Sequence, residues 1–87
     1  MSFIEFVVSL ASTAAIHLGD LADPESGERF EPNLQGARQM IEVLALLELK
    51  TRGNLTVQER QVLEQVLEEL RTRLLEVERG GPRIVVP

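Results

Sequence analysis

Apolar residues fall in three blocks along this chain, and within each block they recur with the 3.6-residue period of an α-helix instead of the two-residue alternation of a strand. The local signals at the block ends agree. Ser2-Phe3-Ile4-Glu5 has the spacing of a capping box, in which the Ser hydroxyl meets the third helical N–H and the Glu reaches back, so a first helix is predicted from about Phe3. It runs to Leu18 and stops at Gly19, a residue that adopts the left-handed conformation without strain. Asn33 is placed to cap a second helix over 34–52, with Lys50 and Arg52 near its negative end and Gly53 as its stop. Thr56-Val57-Gln58-Glu59 is a second capping box and opens a third helix over 57–79. Asn54 and Leu55 alone separate the second stop from this box, and a connection that short predicts an antiparallel hairpin. Asp20 to Pro32 is a 13-residue polar connection, and after Gly80-Gly81-Pro82 the segment RIVVP reads as an extended or mobile tail. Residues 1–79 are thus expected to form a single helical domain and 80–87 a tail.

The width of each apolar face carries the next step. In the third helix Val62, Leu63, Val66, Leu67, Leu70, Leu74 and Val77 project into one arc of about 140°, as expected for a surface helix of a small bundle. The first helix is wider, with Phe3, Phe6, Val7, Val8, Leu10, Ala11, Ala14, Ala15 and Leu18 spanning about 200°. Its remaining face is mostly Ser9, Ser12 and Thr13, which are small enough to pack as well. In the second helix Ala37, Met40, Ile41, Leu44 and Leu47 form the core stripe, while Leu46 and Leu49 fall on the side of Arg38 and Glu42. The fold class expected is all-α: three helices, with a hairpin of the second and third plus a very apolar first helix, completed by homo-oligomerisation. The expected oligomer interface is Phe3, Phe6, Val7, Leu10, Ala11, Ala14, Ala15 and Leu18, bordered by Leu46 and Leu49.

Composition narrows the partners. With 87 residues the chain can bury one small core, and with no Cys that core is held by packing alone. A net charge of −5 leaves no basic surface of the kind that neutralises phosphates, so nucleic acid is not an expected partner. The uncharged run from Phe6 to Ile16 has no Lys or Arg before it and is far below the roughly 20 residues of a membrane span. A soluble chain without a transmembrane segment, working in the cytoplasm, is expected.

The segments FIEFVVSLASTAAIHLG, ARQMIEVLALLELKTRGNLT and LEELRTRLLEV resemble successive blocks of a bacterial domain-of-unknown-function family of short helical proteins. The resemblance covers about Phe3 to Val77, and its most distinctive pieces are Ser9-Leu10-Ala11, His17-Leu18-Gly19 and Lys50-Thr51 with Gly53-Asn54-Leu55-Thr56. It implies a helical fold and supplies neither catalytic residues nor a cofactor.

Few residues carry candidate chemistry. His17 is the one histidine, near the end of the first helix and close in sequence to Asp20 and Asp23. A carboxylate-oriented base or metal ligand is one reading; a histidine complementing the helix dipole is the better one. Glu48 projects to the edge of the core stripe, where burial raises a carboxylate's pKa for acid–base work, although pairing with Arg52 or His17 is the commoner outcome. Asp20, Asp23, Glu25, Glu28 and Glu31 lack the spacing of a calcium loop and read as solvated acids. KTRGNLT places Lys50 and Arg52 beside a helix start, but a stop, a turn and a cap already account for it, and it lacks a phosphate-loop pattern. No catalytic group, metal or cofactor is expected. The leading functional expectation is a non-enzymatic homo-oligomeric assembly or adaptor module that binds itself and another protein; the alternative is a small-ligand site between protomers near His17, Glu48 and Arg52.

Overall fold

A computed structural model describes residues 1–19 and 32–79 as three helices: α1 (Phe3–His17), α2 (Leu34–Thr51) and α3 (Val57–Glu78). The acidic connection and the RIVVP tail lie outside the described residues, and so do the expectations attached to them. Both capping boxes form. The Ser2 hydroxyl accepts from the Glu5 N–H at 3.0 Å and the Glu5 carboxylate accepts from the Ser2 N–H at 2.9 Å. At α3 the same pair of bonds joins Thr56 and Glu59, at 3.1 and 2.9 Å. The Asn33 side chain accepts from the Gly36 N–H at 3.0 Å and so starts α2. Gly19 and Gly53 follow α1 and α2 at φ of 82° and 88°, the left-handed region that stops a helix cheaply only with glycine. Each helix ends one residue before the expected boundary, because Leu18, Arg52 and Arg79 serve as the caps.

Two long-range links set the topology. The Asn33 N–H donates to the His17 carbonyl at 2.6 Å, which lays the start of α2 against the end of α1. An ion pair between Arg38 and Glu78 joins the start of α2 to the end of α3. The helices therefore run up, down and up, with the expected α2–α3 hairpin, and each packs against both of the others. Gly36 makes the first junction possible: a Cβ there would lie 3.0 Å from His17 Nδ1 and 3.0 Å from Asn33 Nδ2.

The core takes Val7 and Ala14 from α1 together with its cap Leu18, Ala37, Ile41 and Leu44 from α2, and Leu63, Leu67 and Leu70 from α3. Burying these nine aliphatic side chains removes their surface from water, at about 1.5–3 kcal/mol for each large one. This corrects part of the expected interface. Val7, Ala14 and Leu18 were assigned to a contact between protomers, yet they are buried within the chain's own core because α2 and α3 both lie against α1. Phe3, Leu10 and Ala11 pack partly against the same core. Ser9 and Thr13, read as able to pack, face solvent instead and return their hydroxyl protons to the Phe6 and Ser9 carbonyls.

Candidate functional site

What the core leaves uncovered is the most informative feature of the surface. Phe6 and Val8 on α1 remain 38% and 49% exposed, and Val43, Leu46 and Leu49 on α2 remain 40%, 55% and 55% exposed. The three α2 residues are spaced i, i+3, i+6, so they form one slanted apolar ridge on the helix surface. Ala37 and Leu46 are nine residues apart, about 180° around the helix, so the ridge points directly away from the core. Glu42 and Lys50 flank it, both exposed.

A second concave feature lies between α1 and α3. It is a shallow groove of about 280 Å³ lined by Val8, Ala11, Ser12, Ala15, Val66, Glu69 and Leu70. Ala11 and Ala15, expected at the oligomer interface, line this groove and are half-buried. A wider concavity of about 420 Å³ along α3 is lined by Gln65, Glu68, Glu69, Thr72, Arg73 and Glu76.

The proposed grouping of His17, Glu48 and Arg52 does not form within the chain. His17 sits against Gly36 in the first turn of α2, whereas Glu48 lies 12 residues further along, about 18 Å at 1.5 Å per residue. Glu48 instead accepts two hydrogen bonds from Arg52, from Nε and from Nη2, each at 2.9 Å. That bidentate pair holds the Glu48 carboxyl below its ordinary pKa, the reverse of the elevation an acid–base role requires, because the Arg52 hydrogen bonds outweigh partial desolvation. Arg52 is correspondingly raised by Glu48. In KTRGNLT the Thr56 hydroxyl and the Glu59 carboxylate already occupy the helix start as its capping box. Among the described residues no three His, Asp or Glu side chains are gathered as a metal would require, and no helix is long and apolar enough to cross a membrane.

Val43 is absent from the expectation drawn from the sequence, which names only Leu46 and Leu49 on this side of α2. Its i, i+3 spacing to Leu46 was the available signal.

These features define a class: a small three-helix protein with a closed aliphatic core and an apolar ridge displayed on its middle helix. The comparison with known families is direct, for the chain belongs to DUF1844, a domain of unknown function, which matches residues 1–76. No curated protein and no solved structure matches it.

Proposed function

We propose that this protein is a non-enzymatic assembly module, which associates with copies of itself and in that form serves as an adaptor holding another protein. The observation that supports the reading is the set of large apolar side chains left accessible on α1 and α2 after all three helices have packed. A monomer gains nothing from displaying Leu46 and Leu49 to water, and contiguous exposed apolar residues of this kind mark protein–protein contacts. Within one chain Glu48 pairs with Arg52 at the far end of α2 from His17, so the alternative, a small-ligand site between protomers, would need two copies to bring these groups together. The proposal places the module in the bacterial cytoplasm, where a chain without cysteine has no disulfide to lose.

Multi-angle light scattering over a concentration series tests it. A mass that rises above the single-chain 9.7 kDa supports self-assembly, and a single-chain mass at every concentration overturns it.

A further inference from the structure

We infer that the outer face of α2 is a two-fold self-association surface, centred on Leu46, whose occupant is the same face of a second copy in antiparallel orientation. The inference deepens the assembly reading above and rests on it.

Leu46 points away from the core, so a second helix can approach there without meeting α1 or α3. Glu42 and Lys50 lie four residues before and after Leu46, about 6 Å to either side along the axis and about 40° to either side around it. Val43 and Leu49 lie three residues before and after, about 60° to either side in the opposite sense. A two-fold axis between the two Leu46 side chains, perpendicular to the helices and to the line joining them, inverts the axial displacement and keeps each residue on its own side of the seam. It therefore brings Glu42 of one copy level with Lys50 of the other, diagonally across the seam, and sets Val43 beside Lys50 and Leu49 beside Glu42 of the second copy. Leu46 meets its own copy on the axis. The face is thus self-complementary in charge, with two Glu–Lys pairs crossing the seam one turn to either side of the Leu46 contact, and with Val43 and Leu49 packing on the apolar stems of these side chains. Neither Glu42 nor Lys50 is in an ion pair among the described residues, so both charges are available to a partner. A parallel arrangement would oppose like charges and is disfavoured by the same geometry.

The test is charge reversal read by sedimentation equilibrium on the full chain, with circular dichroism confirming that each variant keeps its helices. Glu42→Lys alone and Lys50→Glu alone each place like charges opposite one another twice per dimer, and each is expected to raise the dimer Kd by about tenfold or more. Mixing the two single variants restores opposite charges at both contacts, so the mixture associates near wild-type strength although neither component does. Because the chain has no cysteine, Leu46→Cys provides a second readout: on the axis it forms a disulfide with its own copy under mild oxidation. If the wild type associates but the mixture is no tighter than either variant and Leu46→Cys fails to cross-link, this face is overturned while self-assembly through another surface stands. If the wild type stays a single chain up to about 1 mM, both the face and the assembly reading fail.

Discussion

Leu44 and Leu46 are the same residue two positions apart on one helix, and the fold assigns them opposite fates, which makes the pair a direct test of which way α2 faces. Leu44 is 0% exposed and Leu46 is 55% exposed. Leu44→Ala removes three buried carbons and leaves a cavity within the aliphatic core cluster, so it is expected to cost about 3 kcal/mol, within the 2–5 kcal/mol of such substitutions. Leu46 withdraws less than half of its surface and leaves no closed cavity on truncation, so Leu46→Ala is expected to cost under about 1 kcal/mol. The assay is urea unfolding followed by helical circular dichroism, at a concentration low enough that association contributes nothing. With an m-value of about 1 kcal/mol/M, the Leu44→Ala midpoint falls by about 3 M and the Leu46→Ala midpoint by less than about 1 M. A stability of about 0.05–0.15 kcal/mol per residue gives about 4–13 kcal/mol for a chain of 87 residues, so Leu44→Ala removes roughly a quarter to two thirds of the total. Equal midpoint shifts, or the larger shift for Leu46→Ala, would refute the assignment of the core to the Leu44 side.

Other consequences follow from the same geometry. Thr56→Ala deletes the hydroxyl that accepts from the Glu59 N–H and is expected to lower stability by about 1 kcal/mol in the same urea assay. Gly53→Ala meets no atom within 4 Å, yet at φ 88° it is expected to cost about 1 kcal/mol from backbone strain alone, as thermal unfolding would show. Glu48 has a folded-state pKa below its ordinary 4.5, so its contribution is complete above that value and is lost as pH falls through the lower folded-state value. Glu48→Gln should therefore reduce the acid-side loss of stability, and His17→Ala should leave the NMR titration of Glu48 unchanged, since the two sit at opposite ends of α2.

The elements and their ends are legible along the chain, because every signal involved acts over three or four residues. The boxes at Ser2–Glu5 and Thr56–Glu59, the Asn33 cap and the stops at Gly19 and Gly53 are local hydrogen bonds and local dihedrals, and a linear reading finds them. The α2–α3 hairpin was legible for a similar reason, since the few residues from Arg52 to Thr56 allow no other return path. Helical periodicity also located Leu46 and Leu49 outside the core. Periodicity gives only the angle at which a side chain leaves its helix, and not what stands at that angle. Whether Val7, Ala14 and Leu18 meet their own chain or another was decided by α2 and α3 both lying against α1, a contact between elements far apart in sequence. The same holds for His17: its nearness to Gly36 and its distance from Glu48 depend on the antiparallel packing of α1 and α2, which the His17–Asn33 hydrogen bond records and no spacing along the chain encodes.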